Sequence, residues 1–505
     1  MSFNSFSFIL IYLPLVLIVW YGLNKIEKWK LADIFLIAAS LILYGFFSVN
    51  FVIILLASSL VNYLLSKKIE NKPVLISSIC LNLLLLGYFK YSNFFISNIN
   101  SVLNKDFSEL NIILPVGISF YTFSQIAFLI DQYREKNNTL KVEERLGNVS
   151  FSEYLLYITY FPKIVQGPIA LPYEIISQFR DRTRRIANPA NFRIGVELFI
   201  IGLSKKVLLG DNLSKIVDYG FKYTYYMDTI TGLLVLLSYT FQLYFDFSGY
   251  CDMAEGVSIM LGIELPQNFD SPYKAISVRN LWQRWHMTLT RFFVRYVYIP
   301  LGGSRKGNLR TALNVLIIFI LSGFWHGAGW TYICWGLLMG LMVVWDDLGI
   351  IAVTGDIKKH YLLRNKPLFV IPKWLGNIFT FIVFQISLVF FRSQDLKYAI
   401  QFFKQLFIFI WPGFMYKTSE MLDISENYLI ITATNLFAKQ YTSIIYVISW
   451  LILLVISAIV ILNKNARKIA YKGIPSKKYT AFLIILFVWS FISLSQVSTF
   501  IYFQF

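Results

Sequence analysis

The sequence contains repeated apolar blocks of about 14 to 19 residues with few or no charges. With their flanks, blocks of this length can cross the roughly 30 Å hydrocarbon core of a bilayer as helices. Because backbone polar groups must be satisfied within lipid, such a chain is expected to fold as a transmembrane helix bundle. Nine blocks are clear by inspection: 8–21, 31–47, 51–65, 74–89, 232–245, 330–345, 378–391, 444–462 and 480–494.

Composition supports the same fold class. Apolar residues make up 57% of the 505 positions and charged residues only 15%, whereas a soluble domain of this size needs more charge on its surface. With two or three shorter segments added, we predict an all-α membrane domain over 1–505 with eleven or twelve transmembrane helices. The first block has neither a basic flank nor a small-residue cleavage site, so we interpret it as a retained helix.

The lysines and arginines behind the net charge of +18 lie in loops between the apolar blocks. This distribution indicates membrane topology rather than nucleic-acid binding. Basic residues concentrate in 24–30 and 66–72, after the first and third blocks, while the turn at 48–50 has no charge. Segment 463–478 carries six basic residues and no acid, and one block follows it. The positive-inside rule therefore predicts both termini on the outer side of the membrane.

Metal and thiol chemistry are not indicated. The three cysteines (Cys80, Cys251 and Cys334) lie in or beside apolar segments, and they and the three histidines show no close ligand spacing. We predict no metal site and no permanently bound cofactor.

Between 112 and 346 the ordinary blocks give way to short, polar-interrupted segments. The stretch 112–130 includes Pro115 and Gly117, which disrupt helices. Non-helical backbone at membrane depth is tolerated only where protein buries it or where it lines a cavity. A broken or re-entrant segment and a plain span are both compatible with this stretch.

The most informative histidine is His326, in SGFWHGAGW (322–330). The apolar run before it, 312–321, is about ten residues, roughly half of a bilayer core, so we expect His326 at membrane depth. Its neighbouring glycines would allow close approach of a substrate or another backbone. His326 is either a structural histidine hydrogen-bonded inside the bundle or a general base for a hydroxyl that attacks a thioester.

A second feature is the basic stretch 279–305, RNLWQRWHMTLTRFFVRYVYIPLGGSR. Plotted as one helix, it places apolar residues and His286 on one face and arginines on the other. The inward residues are Trp282, His286, Leu289 and Phe293, and the outward ones are Arg284, Arg291 and Arg295. We predict an amphipathic helix at the cytoplasmic surface.

Two interpretations of this helix stay open. Its arginines contact anionic lipid headgroups, or, together with Arg305, they hold the phosphates of an acyl donor such as coenzyme A. His286 either orders the helix through a buried hydrogen bond or lines the catalytic tunnel. Asp246, which shares a helix face with Gln242, is expected to form a structural ion pair, with an arginine as a candidate partner.

Seven motifs together resemble the bacterial branch of the membrane-bound O-acyltransferase family, and cover about 110–345. They are LPVGISFYTF (114–123), FPKIVQGPI (161–169), GLSKKVLLGD (202–211), QLYFDFSGYCDMA (242–254), RWHMTL (284–289), YVYIPLGG (296–303) and GFWHGAGW (323–330). The likeness is strongest to the alginate and peptidoglycan O-acetyltransferase membrane subunits, and weaker to the teichoic-acid D-alanylation protein. It implies that His326 is the active-site histidine of a central tunnel joining a cytoplasmic donor entrance to an outer acceptor entrance, with His286 as the second family histidine.

The sequence departs from this pattern at two places. An Arg-Asp pair usual in the family appears here as Val294-Arg295, and Glu255 stands where relatives commonly have an apolar residue. Both bear on the donor side of the predicted tunnel.

The last residues, 500–505, resemble the FxYxxF tail of these proteins. The resemblance implies that Tyr502 carries the acyl group between the membrane enzyme and an extracellular transferase. Alone, an aromatic terminus is more often an interfacial anchor.

The resemblance therefore implies a bacterial inner-membrane enzyme that moves an acetyl group, with acetyl-CoA as donor, for O-acetylation of a polysaccharide. Peptidoglycan is favoured over alginate as acceptor. Because the chain shows no soluble hydrolase domain, an extracytoplasmic GDSL (SGNH)-type O-acetyltransferase is the expected partner. The alternative is a transporter of a polysaccharide or lipid-linked precursor, but such proteins often have paired broken helices and we find one cluster without a counterpart.

Overall fold

A computed structural model of the protein describes residues 1–358, 360–422, 424, 426 and 428–496. Regular structure in this part of the chain is almost entirely helical, as predicted. The helices are α1 Leu13–Lys25, α2 Trp29–Gly45, α3 Val49–Lys67, α4 Lys72–Leu103, α5 Ile118–Lys136, α6 Phe151–Thr159, α7 Phe161–Ile164, α8 Pro172–Arg180, α9 Pro189–Ser204, α10 Asp211–Lys222, α11 Thr229–Met260, α12 Val278–Trp282, α13 Met287–Phe293, α14 Asn308–His326, α15 Trp330–Leu348, α16 Lys373–Arg392, α17 Leu396–Gln405, α18 Gly413–Ser419, α19 Tyr428–Phe437, α20 Thr442–Leu462, α21 Ala466–Ala470 and α22 Lys477–Ile492.

Three π-helical segments adjoin these helices without a gap. Phe8–Tyr12 runs into α1, Lys205–Gly210 joins α9 to α10, and Val294–Tyr298 continues α13. Between α15 and α16, strands β1 (Ile351–Val353) and β2 (Phe369–Ile371) form a small parallel pair.

Eight helical segments of the described chain are long and apolar enough to cross a membrane. They are Phe8–Lys25, Val49–Lys67, Lys72–Leu103, Thr229–Met260, Asn308–His326, Trp330–Leu348, Lys373–Arg392 and Thr442–Leu462. The sequence predicted eleven or twelve, and the difference includes α2 and α22, whose apolar blocks form helices of 17 and 16 residues. The protein is a multi-pass helical membrane protein.

Helix α11 lies at the centre of the bundle and is buried over most of its length. It packs against α9 through glycines that repeat at the same interval on both helices. A Cβ on Gly202 would lie 2.6 Å from the Gly249 carbonyl oxygen, and one on Gly195 would lie 2.5 Å from the Gly256 carbonyl oxygen. Small residues at these positions let two membrane helices come into backbone contact.

The stretch 112–130 is broken rather than a plain span. The chain is irregular up to Gly117, which adopts a left-handed backbone with φ of +73°, and α5 starts at Ile118. A side chain on Gly117 would meet the Ile164 carbonyl oxygen at 2.5 Å, so this turn requires glycine. The first turns of α5 are buried in protein, which is where broken backbone is tolerated.

The prediction of one continuous amphipathic helix over 279–305 is wrong. Helix α12 ends at Trp282, α13 begins at Met287, and between them His286 has a left-handed backbone with φ of 44°. This conformation is unfavourable for a residue with a Cβ, so surrounding contacts must hold it. The predicted faces are nevertheless present, because Trp282, Leu289 and Phe293 are all buried.

The prediction for α14 also needs correction. The apolar run before His326 suggested a helix of half-membrane length, but α14 begins at Asn308 and has 19 residues, enough to cross the bilayer. Polar residues of the first turns extend the helix beyond the apolar run. Membrane depth for His326 therefore stays a prediction, while its burial, described below, follows from packing.

Candidate active site

His326 is the last residue of α14, and its side chain is buried in the angle between α14 and α15. The two helices meet in backbone contact, since a Cβ on Gly323 would lie 2.2 Å from the Tyr332 carbonyl oxygen and one on Gly336 would lie 2.3 Å from that of Phe319. A Cβ on Gly327 would run into the Tyr332 ring. These glycines next to His326 thus serve helix packing, and the predicted role in substrate approach is not needed to explain them.

Aromatic rings surround the imidazole of His326. The ring centroids of Trp335 and Phe391 are each 5.2 Å from that of His326, in edge-to-face arrangements. Trp325 is at 4.9 Å and the imidazole of His286 at 6.3 Å. The structure therefore brings the two predicted histidines together, although 40 residues separate them along the chain.

Two neighbouring residues of α4 cap the end of α14. The Lys90 ammonium donates to the carbonyl oxygens of Trp325 at 2.5 Å and His326 at 3.1 Å, and the Tyr91 hydroxyl donates to that of Phe324 at 2.8 Å. The last carbonyls of a helix have no partner within it, and a cation there is favoured by the helix dipole. Sequence reasoning missed Lys90; the available signal was a single lysine in the otherwise uncharged interior of α4.

A pocket opens beside His326. Its walls come from the turn before α5 and from the segment after α7, and the polar residues of its lining include His326, Lys90 and Gln166. Gln166 is 1% exposed, and neither its amide nitrogen nor its amide oxygen has a hydrogen-bond partner among the described residues. Gln166 belongs to the motif FPKIVQGPI, but the sequence alone gave no reason to select it.

Hydrogen bonds fix the orientation of the His286 ring. Its Nδ1 lies 3.1 Å from the Asn268 amide oxygen, which also accepts from the Thr288 hydroxyl at 2.9 Å. Because that oxygen can only accept, Nδ1 carries the hydrogen and Nε2 is left with a lone pair. Nε2 is buried with no hydrogen-bond partner in the described structure. His286 therefore both orders the break before α13 and presents an acceptor near His326.

Two of the four predicted donor-binding arginines are already bound to carboxylates. Arg291 forms a bidentate pair with Glu174 of α8, at 2.5 and 2.7 Å. Arg295 binds Glu144 at 2.8 Å and Asp131 of α5 at 3.1 Å. Phosphate binding by either arginine would have to compete with these pairs.

Arg284 and Arg305 differ from the first two. Arg284 donates to the Asn280 side-chain oxygen and the Asp270 backbone carbonyl, and Arg305 is exposed. Neither forms an ion pair with a carboxylate in the described part of the chain. They are the better candidates for contacts with an anionic donor.

The Arg295 pair also changes the acidity of its loop partner. Hydrogen bonds from the Arg295 guanidinium hold the pKa of Glu144 below its ordinary value. The same arginine is one of the two departures from the family pattern. At the other, Glu255 pairs with Arg467 at 3.2 Å, so each departure is balanced by a charge of opposite sign.

Asp246 forms the expected ion pair, but with a lysine rather than an arginine. The Lys206 ammonium binds both Asp246 and Asp211, the latter at 2.6 Å, and all three side chains are buried. Lys206 lies in the π-helical segment Lys205–Gly210, which faces α11. This cluster joins α10 and α11 and does not line the pocket at His326.

Tyr502, with the whole tail 500–505, lies outside the described residues. Its predicted role as an acyl carrier is therefore neither supported nor opposed by the structure.

Comparison with known proteins identifies the family of the chain. The profile of the membrane-bound O-acyltransferase family matches residues 99–354, which include the pocket turn, Gln166 and both histidines. The chain is 37% identical to a peptidoglycan O-acetyltransferase of Helicobacter pylori over 80% of its length and 79% of that protein. It is 33% identical to a probable alginate O-acetylase of Pseudomonas putida, covering 81% of each chain.

A weaker likeness, 26% identity over 46% of this chain and 59% of the relative, links it to a teichoic acid D-alanyltransferase of Bacillus subtilis. The relatives therefore include proteins named for acylation of three different polymers, peptidoglycan, alginate and teichoic acid. The chain belongs to the membrane-bound O-acyltransferase family and is a multi-pass membrane O-acyltransferase.

Proposed function

We propose that this protein moves an acetyl group from acetyl-CoA toward the outer side of the bacterial inner membrane for O-acetylation of a polysaccharide. The main support is the burial of His326 beside a pocket, with the His286 ring 6.3 Å away, within the region that matches the family. Peptidoglycan is the favoured acceptor polymer, since the relative at 37% identity is named for it.

In the proposed reaction His326 is the general base. It takes the proton of an acceptor hydroxyl as the hydroxyl oxygen bonds to the thioester carbonyl carbon. The carbon–sulfur bond then breaks, and the leaving thiolate receives the proton from His326. The products are an acetyl ester and free coenzyme A, with no bound cofactor consumed.

The donor would enter from the cytoplasmic side, where Arg284 and Arg305 offer guanidinium groups to its phosphates. The first acceptor is the hydroxyl of Tyr502, which then passes the acetyl group to an extracytoplasmic GDSL (SGNH)-type O-acetyltransferase. Both termini lie outside in this arrangement, as the basic loops predict.

His326→Ala tests the central residue. In a strain that lacks the native gene, the variant should reduce base-released polymer acetate to background, since general base catalysis is lost. The third histidine, His360, is exposed in the loop between α15 and α16, so His360→Ala is a matched control that should keep full acetylation. Wild-type acetylation in His326→Ala, at an equal membrane level of protein, would refute the proposal.

The relay step has a separate test. Intact-mass analysis of the purified protein after incubation with acetyl-CoA should show an acetyl adduct on Tyr502 that is absent from Tyr502→Phe. Unchanged polymer acetylation in Tyr502→Phe would exclude the relay without affecting the role of His326. Mass spectrometry of wall and secreted glycans from the deletion strain would identify the polymer that loses acetate.

A further inference from the structure

The pocket beside His326 contains a polar side chain that the fold itself does not use. Gln166 is 1% exposed, lines the pocket, and has no hydrogen-bond partner for either atom of its amide in the described structure. Buried amides are normally hydrogen-bonded, because an unsatisfied one costs the desolvation of the group. Exceptions of this kind in an active-site pocket point to a ligand that completes the bonding.

The pocket is small, with a volume of about 60 Å³. A single water needs roughly 10 to 15 Å³ of such space, so the pocket has room for about four small groups. Its walls restrict it further, since the Gly117 turn lies against the backbone at Ile164 and the first turn of α5 is buried. A short acyl group fits this space, and a second pocket of about 320 Å³ shares Lys90 and Leu114 with it.

Charge in the pocket favours an electron-rich ligand atom. The Lys90 ammonium uses two of its three N–H groups to donate to the carbonyl oxygens of Trp325 and His326. It has no carboxylate partner among the ion pairs of the described residues, and it lines the pocket. Gln166, whose amide has no partner in the described structure, belongs to the lining of the same pocket. A carbonyl oxygen that gains negative charge during attack would therefore find donors already in place.

Building on the function proposed above, we infer that Gln166 is a catalytic residue: its side-chain amide donates a hydrogen bond to the carbonyl oxygen of a short acyl group held beside His326. The bond strengthens as the acceptor oxygen attacks the carbonyl carbon and the carbonyl oxygen becomes an oxyanion. It relaxes when the carbon–sulfur bond breaks and the carbonyl re-forms. Gln166 exchanges no proton in this step, so the reaction balance is that given for His326.

Gln166→Met tests this assignment because methionine has a similar length and flexibility but no hydrogen-bond donor. Polymer acetate in the complemented deletion strain should fall to roughly a tenth of wild type or less, since removing one such donor typically costs about 10² to 10³ in kcat. The thermal unfolding midpoint of the purified full-length protein should be unchanged or higher, because an unsatisfied buried amide has been removed.

Gln405 provides the matched control. It is also buried, at 4% exposure, but lies on α17, where its amide nitrogen donates to the Tyr225 carbonyl oxygen at 2.9 Å and only its amide oxygen lacks a partner in the described structure. Gln405→Met should show the opposite pattern, a lower unfolding midpoint with acetylation per folded protein kept. Loss of activity and of stability together in Gln166→Met would overturn the assignment in favour of a structural role.

Retained acetylation in Gln166→Met would also overturn it. If His326→Ala is inactive in the same strain, the inference alone has failed. If His326→Ala is active as well, the proposed function has failed. The size of the acyl group is tested by gas chromatography of all acids that base releases from the polymer. We expect acetate. A substantial share of acyl chains longer than four carbons would contradict a short acyl group beside His326.

Discussion

The pocket at His326 and the arginine-rich segment from α12 through the π-helical residues Val294–Tyr298 both belong to the family-matched region, yet their principal polar groups differ. In the segment, the terminal guanidinium nitrogens of Arg291 and Arg295 are held by carboxylates on three other elements, and only the Nε atom of each lacks a partner in the described structure. In and beside the pocket, the Gln166 amide and His286 Nε2 lack partners in the described structure. The ion pairs of the segment hold the fold together, whereas the unpartnered groups beside His326 are placed where a substrate could meet them.

The energies support this distinction. Leaving a buried donor or acceptor unsatisfied costs about 1 to 3 kcal/mol, which is a large share of the net stability of a typical protein. The left-handed backbone of His286 adds strain of the same order. For the Gln166 amide and for His286 these costs fall beside His326, so we expect variants there to change activity more than stability. We expect variants that break the ion pairs of Arg291 and Arg295 to do the reverse.

The largest effect expected after His326 itself is at His286. We expect His286→Ala to lower acetylation by about 10² to 10⁴-fold, because the variant removes an imidazole beside the catalytic one and the hydrogen bond to Asn268 that orients it. Initial rates of acetate incorporation in membranes would measure this, with His360→Ala as the control. A loss no greater than that of Asn268→Ala would mean that His286 acts through local structure alone.

Lys90 comes next. Lys90→Met should lower acetylation by about 10-fold or more, because the Trp325 and His326 carbonyls lose their cap and the imidazole is no longer held at a fixed position. Lys90→Arg keeps a cation and two donors and should recover part of the rate. Exposed Lys105, just beyond the end of the same helix, gives the control Lys105→Met. Equal rates in all three variants would show that the cap does not position His326.

The sequence was sufficient for the parts of the molecule that depend on local pattern. Apolar block length predicted a membrane helix bundle, and the spacing of Trp282, Leu289 and Phe293 predicted which side of the arginine segment is buried. Both histidines were selected from the local sequence and the family resemblance, but their proximity of 6.3 Å was not predicted. Lys90 and Gln166 were missed because their roles depend on contacts between helices far apart in the chain, which no local spacing records.

The wrong predictions have the same cause. The break at His286 is imposed by the contacts of Asn268 with His286 and Thr288, and nothing in the heptad-like spacing of 279–305 reveals it. Likewise, the π-helical segment Lys205–Gly210 packs against α11, so Asp246 pairs with Lys206 of that segment rather than with an arginine. Tertiary contacts decided both.

The arginine segment should show the reverse behaviour. Arg291→Met should lower the free energy of unfolding by about 1 to 3 kcal/mol, because it breaks a bidentate charge-assisted pair and leaves the partly buried Glu174 alone. Turnover per folded molecule should change little, whereas Arg284→Gln should raise the KM for acetyl-CoA with smaller loss of stability. A double-mutant cycle of Arg291→Met with Glu174→Gln measures the coupling, and a KM effect of Arg291→Met would place it at the donor site after all.

The smallest effect concerns the pH dependence of the Arg295–Glu144 pair. Because the pKa of Glu144 is lowered in the folded protein, its contribution to stability is fully present above the unfolded value of about 4.3 and is lost as the pH falls through the folded value. The difference in unfolding midpoint between wild type and Glu144→Gln should therefore be constant from about pH 7 to 5 and shrink below about pH 4. We expect it to correspond to less than about 1 kcal/mol. A difference near zero at every pH would mean that Arg295 is held mainly by Asp131, and a difference that grew on acidification would mean that folding raises the pKa of Glu144 instead of lowering it.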